Sequence, residues 1–362
     1  MFDSIEINNF KGFNNLKIKN LKQFNLFVGK NESGKTTVLE AIFLLINPNN
    51  PKLPMNINIF RELYNINSLF FKILFYKEKV NQNIVLNAKL INPNEKRKLT
   101  ISAVEKNVDV LIKETDIKNE NRMFLYSKED ESQRMSEIST IKLLYEYITE
   151  NGNVEKYYPQ ILRDDGNYKV LHDEKYKEKL NGIFHQDSAI ITNMVPRLAQ
   201  VIMEKKKKEV IKVLKKIEPL LIDLELGINN TVNCDIEGFK ELVPINILGK
   251  GLIKILSIIV AILYSKNGIL LIDEIGDGLH FHSQEILWST IFKIAHELNV
   301  QIIATTHSYD CLRMYNKQYN KFAPDEDNLR LFRIEKVNEH HEIIAYNHEK
   351  LTSSMDFDME VR

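Results

Sequence analysis

Two cysteines, Cys234 and Cys311, are all the chain offers for thiol chemistry, and they give neither a metal-ligand spacing nor a disulfide framework. That scarcity fits a reducing compartment and points to the cytoplasm. Net charge is also lacking. Forty-nine basic residues balance forty-nine acidic ones, so no global field draws the molecule to nucleic acid or to an anionic membrane, and any such binding has to be local. No run approaches the ~20 apolar residues of a membrane span. The chain opens on a strand-like Phe2 to Ile7 instead of a basic-then-apolar signal segment. Sustained heptads are missing as well, which excludes a long coiled-coil rod. What is present is a 362-residue chain that is 44% hydrophobic, enough for one large or two ordinary domains with a substantial core.

The most informative stretch is Leu26 to Thr37, a short apolar strand running into a glycine-bounded loop and then a helix. Gly29, Gly34, Lys35 and Thr36 meet the pattern GxxxxGK[ST]. The two glycines allow close backbone approach to phosphates. Amides of the intervening Asn31, Glu32 and Ser33, with the N-terminus of the following helix, direct partial positive charge at the same place. Lys35 would reach the β/γ-phosphates and Thr36 would place its hydroxyl on Mg²⁺, with Thr37 beside it. ATP and Mg²⁺ are therefore the expected ligands.

Residues 1–51 read as strand, turn, strand, phosphate-binding loop and helix, ending at the Asn47-Pro48-Asn49-Asn50-Pro51 break. Residues 52–232 change character and read as an inserted lobe. Within it, Ile84 to Leu90 and Leu99 to Val104 look like a hairpin and Val108 to Ile112 like a third strand. Ile138 to Ile148 and Ala189 to Lys216 look helical. Glu204 to Glu218 carries a lysine cluster that reads first as a solvated helix face, with a nucleic-acid or partner contact as the sharper alternative. Residues 233–362 return to α/β character, with apolar strands on either side of a helix marking a parallel sheet buried on both faces.

A second diagnostic stretch, Ile269-Leu270-Leu271-Ile272-Asp273-Glu274, is a Walker B pattern: four apolar strand residues ending in two acids. Asp273 is placed to share the Mg²⁺ shell with Thr36, and Glu274 to orient or deprotonate the attacking water. A third piece, Ala304-Thr305-Thr306-His307-Ser308, ends the next strand and offers the His307 imidazole to the γ-phosphate or the water. The predicted catalytic set is thus Lys35, Glu274 and His307. The predicted fold is α/β, a P-loop NTPase head with a mixed sheet and an inserted α/β-to-helical lobe.

With these three motifs the chain resembles ABC-type ATPases of the branch shared by SMC, RecF and OLD-like proteins, and most of all small stand-alone "AAA family ATPases". The likeness covers about 1–50 and 235–362 well and the middle loosely. It implies that Lys11, in Asn9-Phe10-Lys11-Gly12-Phe13, lies near the nucleotide. It also implies that Asp277 and Gly278 form a D-loop contacting a second subunit, and that Gly249, Lys250 and Gly251 form the signature loop facing the γ-phosphate bound to that subunit. The loop departs from LSGGQ, lacking its serine and glutamine, and Lys250 stands where nearer relatives carry an acid. Gln82 is a Q-loop candidate by position only. The stretch after His307 is too short for the Toprim nuclease of OLD-like proteins, so Asp356 and Asp358 read as tail acids.

The resemblance implies a switch that forms a homodimer or higher oligomer around ATP, hydrolyses it, and controls a co-encoded nuclease or toxin effector in anti-phage defence. A RecF-like DNA-repair ATPase binding DNA directly is the main alternative, and a non-hydrolysing scaffold the third; DNA or RNA is a further candidate partner. No membrane partner is expected.

Overall fold

The computed structural model describes residues 1–61, 63, 68–91, 94–109, 134–164, 167–173, 175–186, 190–228, 231–357 and 361. The chain begins with strands β1 (Phe2–Phe10), β2 (Phe13–Ile18) and β3 (Phe24–Val28), then helices α1 (Lys35–Ile46), α2 (Leu53–Ile59) and α3 (Ser68–Lys72). A run of strands follows: β4 (Ile84–Leu90), β5 (Glu95–Asp109), β6 (Arg134–Ile148), β7 (Val154–Tyr157), β8 (Gln160–Asp164), β9 (Asn167–Leu171) and β10 (Gly182–His185). Helices α4 (Ile190–Met203) and α5 (Lys207–Leu214) lead to a small sheet of β11 (Leu221–Gly227), β12 (Thr231–Ile236) and β13 (Val243–Pro244). The last part alternates α6 (Lys250–Tyr264), β14 (Ile269–Ile272), α7 (Phe281–Glu297), β15 (Gln301–Thr305) and α8 (Tyr309–Phe322). It closes with β16 (Leu329–Val337), β17 (His340–Asn347) and α9 (His348–Asp356).

One sheet has the order β10-β14-β15-β3-β16-β17, parallel throughout except for the antiparallel β16–β17 hairpin. Its central strands β14, β15 and β3 are buried at every position because both faces are covered. Phe24, Leu26, Leu270, Ile272 and Ile302 pack toward α6 and α7, while Phe27, Ile269, Leu271 and Ile303 pack toward α1 and the second sheet. Parallel strands put their carboxyl ends on one edge, and the loops after β3, β14 and β15 meet there.

The second sheet is antiparallel, and it is built across the boundary expected at residue 51. β4 pairs with β1 and β5 with β4, so strands from 84–171 extend the sheet that β1 and β2 begin. β10, also from the 52–232 stretch, joins the parallel sheet beside β14. The expected 84–104 hairpin is present. Val108 belongs to the end of β5 instead of a third strand, and Val110 to Ile112 lie outside the described residues.

The helix expected over Ile138 to Ile148 is instead part of β6. Ile141, Leu143 and Tyr145 are buried in alternation, and β6 pairs with β5 along most of its length. Long-range pairing decided between two periods that the sequence carries together. The helical reading of Ala189 to Lys216 holds for α4 and α5, with a break at 204–206; Ala189 itself lies outside the described residues. Asp356 ends α9, and Asp358 is likewise outside them. Among the described residues, no helix is long and apolar enough to cross a membrane.

Candidate functional site

Three strand ends supply the site. After β3 the chain enters the phosphate-binding loop, where Gly29 and Gly34 adopt positive φ of 146° and 96°. A Cβ on Gly34 would collide with the Phe13 ring, and one on Gly29 would come within 2.5 Å of the Ile334 carbonyl oxygen. Glycine is the residue these positions tolerate. The Lys35 ammonium folds back into the loop, donating to the carbonyls of Gly29 at 3.0 Å and Lys30 at 3.1 Å. Burial lowers its pKa, opposed by Glu274 and Asp273.

After β14 come the two acids. Asp273 Oδ1 accepts from Thr36 Oγ1 at 3.2 Å and from Thr305 Oγ1 at 2.6 Å, and the same Thr305 oxygen accepts the Glu274 amide at 2.9 Å. Burial pushes the Asp273 pKa up, ahead of the two hydroxyl contacts that lower it. A carboxylate desolvated in this way is stabilised by a cation. The Thr36 hydroxyl and Asp273 carboxylate are adjacent hard oxygen donors, which suits Mg²⁺.

After β15, His307 Nδ1 lies 2.9 Å from Glu274 Oε2. The imidazole expected at the γ-phosphate therefore sits on the other predicted catalytic side chain, within reach of the same place.

A cleft of about 430 Å³ opens beside the loop, in the range of small-ligand sites. Lys35, Thr36, Thr37 and Glu274 line it with Asn31, Glu32 and Gly34. Ser33 is buried beneath the loop, its amide donating to the Lys30 carbonyl. Lys11 precedes Gly12, which lines the cleft. It is turned inward, 3.0 Å from the fully buried Glu40 of α1. Burial holds its pKa down to about 8 despite the Glu40 charge. Arg61 lines the cleft wall and grips the same Glu40 with Nε at 2.7 Å and Nη2 at 3.1 Å. Lys336 and His341, cross-strand neighbours of the β16–β17 hairpin, complete the wall.

Sequence reasoning assigns no roles to Arg61, Lys336 or His341, because their approach depends on long-range packing. Thr305 is legible within its motif, but its bridging hydrogen bonds are not.

Gly249 caps α6 at φ 106°, and Lys250 and Gly251 open its first turn. Gly251 lies against Leu279 and the Gly278 carbonyl, so the signature and D-loop segments adjoin. Among the described residues, none of 249–251, 277 or 278 lines the phosphate cleft of the same chain.

In the lysine cluster, Lys207 bonds Asp223 at 2.9 Å and Glu225 at 3.0 Å, and Lys206 bonds Glu204 at 2.5 Å. Part of that charge is thus neutralised within the molecule.

The chain belongs to the AAA ATPase domain family, whose pattern matches residues 1–312. It is 26% identical over 342 residues to an "ATP/GTP phosphatase" of Helicobacter pylori, covering 88% of both chains. It is 32% identical over 97 residues to "Uncharacterized protein MJECL10" of Methanocaldococcus jannaschii, covering 25% of this chain and 42% of that one. Among solved structures, an Smc head bound to the C-winged helix domain of ScpA superposes with a TM-score of 0.52. The identity there is 13%, over 97% of this chain and 99% of the other. At that identity the likeness is one of fold. The chain is an AAA-type ATPase on an SMC-head-like α/β scaffold.

Proposed function

We propose that the protein is a Mg²⁺-dependent ATP switch in which two copies close around ATP and hydrolysis reopens them. The observation that carries this reading is the convergence of Lys35, Thr36, Asp273, Glu274 and His307 at one sheet edge. Loop amides and Lys35 bind the β/γ-phosphates, which frees the lysine from the carbonyls it now meets. Thr36 and Asp273 would hold Mg²⁺, which when bound neutralises charge on the β- and γ-phosphates. Glu274 accepts the proton of the attacking water, and His307 orients Glu274 and the γ-phosphate oxygens.

Dimer closure is supported by the exposed, glycine-capped N-terminus of α6, an anion site without an anion-binding partner in its own cleft. Control of a nuclease or toxin effector in anti-phage defence rests on family resemblance. The ion pairs of Lys206 and Lys207 weaken the rival reading of direct DNA binding through that cluster.

The test is Glu274→Gln, which keeps shape and hydrogen bonding but removes the base. We expect ATP binding to survive, hydrolysis to fall by at least about 100-fold, within the usual range for losing a general base, and an ATP-bound dimer to accumulate in light scattering. Adding Gly251→Trp should dissolve that dimer. Equal mass in ATP and ADP would remove the composite-site mechanism.

A further inference from the structure

Lys254 is the one charged residue in the apolar run from 252 to 263 of α6, and it is only 4% exposed. An ammonium in such a place is costly unless it is hydrogen-bonded. Its Nζ reaches across to the turn after β14 and donates to the carbonyls of Glu274 at 2.8 Å and Asp277 at 3.0 Å.

Those two carbonyls bracket the turn that carries the predicted base. Glu274 itself has φ of 46°, a backbone region that costs a non-glycine residue energy unless its surroundings hold it there. The Asp277 amide donates to the Glu274 carbonyl at 3.0 Å, closing the turn from the other side.

A second tie reinforces the first. The Lys254 carbonyl accepts the Ser257 hydroxyl at 2.7 Å, Ser257 Oγ meets His185 Nε2 at 2.7 Å, and the His185 carbonyl lies 3.4 Å from the Asp273 amide. The backbone of both acids is thereby fastened to one helix. Above the turn, the Glu274 carboxylate is left facing His307.

We propose that Lys254 is a positioning residue for hydrolysis: its ammonium clamps the strained Glu274 turn onto α6, fixing where the carboxylate meets the attacking water. This rests on the reading of Glu274 as general base. Hydrogen bonds from a charged donor are stronger than neutral ones, which suits a clamp on a turn that would otherwise relax. Lys254 does not itself line the phosphate cleft, so its effect falls on turnover and not on nucleotide affinity.

The experiment compares Lys254→Met, Lys254→Arg, Glu274→Gln and the Lys254→Met/Glu274→Gln double variant, all in the full chain. Equilibrium dialysis with labelled ATP and Mg²⁺ gives Kd, and single-turnover hydrolysis gives the rate. We expect Lys254→Met to lose at least about tenfold in rate with Kd within about threefold, Lys254→Arg to recover part of the loss, and the double variant to hydrolyse no slower than Glu274→Gln alone. A wild-type rate in Lys254→Met, a loss of affinity matching the loss of rate, or a full second loss in the Gln background overturns the proposal. If Lys254→Met does not fold, Lys254→Gln, which keeps a donor, is judged by the same three criteria. A Glu274→Gln protein that hydrolyses ATP at the wild-type rate refutes the general-base reading itself, a failure distinct from that of the clamp.

Discussion

Thr305 donates its hydroxyl hydrogen to Asp273 Oδ1 at 2.6 Å, while the lone pair of the same oxygen takes the amide of the next acid, Glu274, at 2.9 Å. One small side chain thus orients both members of the acidic pair. Thr305→Val keeps the shape and deletes both bonds. It should lower stability by about 1–3 kcal/mol through the unsatisfied buried groups. Hydrolysis should drop at least about tenfold, as when a ligand-orienting contact is lost. Urea unfolding and steady-state rates check this, and unchanged values in both would mean the bridge is idle.

Lys35→Ala removes the charged side chain that the loop holds ready at the Gly29 and Lys30 carbonyls. ATP affinity should fall by at least about 100-fold, in keeping with truncation of a buried charge contact. Calorimetric titration with ATP in the presence of Mg²⁺ measures it. Wild-type affinity would displace the nucleotide from this loop.

Asp273→Asn should stabilise the ligand-free protein. Burial raises the folded-state pKa of this carboxyl above its ordinary 3.8. Its contribution to stability is therefore present below the unfolded pKa and is lost as pH rises through the folded one. At neutral pH the ionised group opposes folding until a cation meets it. The gain in Tm of the variant over wild type should be larger at about pH 7 than at about pH 4, where the unfolded-state carboxyl is half protonated. The part of the wild-type stabilisation by ATP that depends on Mg²⁺ should shrink. An Asn variant less stable than wild type at neutral pH contradicts the argument.

Gly34→Ala puts a Cβ into the Phe13 ring at a φ of 96°. Destabilisation of more than about 1 kcal/mol is expected where alanine is forced to positive φ, together with loss of nucleotide binding. A Tm equal to wild type would show that the loop has room to shift.

The parts of this molecule legible in sequence are those whose chemistry is local. The loop from Gly29 to Thr36, the acids at 273–274 and His307 each follow an apolar strand and form recognisable local patterns. Ile138 to Ile148 reads as a helix because Ile138, Ile141, Tyr145 and Ile148 fall at helical spacing, while Ile141, Leu143 and Tyr145 alternate; partnership with β5, distant in sequence, chose the strand. Gly182 to His185 is too short to signal a strand, yet it borders β14. Lys11 is placed at the nucleotide by analogy alone, and its ion pair with the buried Glu40 leaves no local signal. Lys254 leaves a trace, a lone cation in an apolar helix, but its target lies on another element.

The order of the parallel sheet has a consequence for biosynthesis. β3 leaves the ribosome early, but its neighbours on both sides, β15 and β16, come from residues 301–337. At about 5–20 residues per second, its apolar edges wait roughly 15 to 60 seconds for their partners. During that interval the strand that will carry the phosphate-binding loop is an unpaired hydrophobic template, and the nascent chain depends on chaperone cover or on provisional pairing of β1 with β2 and β4 to stay out of aggregates. The strand that leads into the phosphate-binding loop is therefore fully paired only after residues 301–337 have been made.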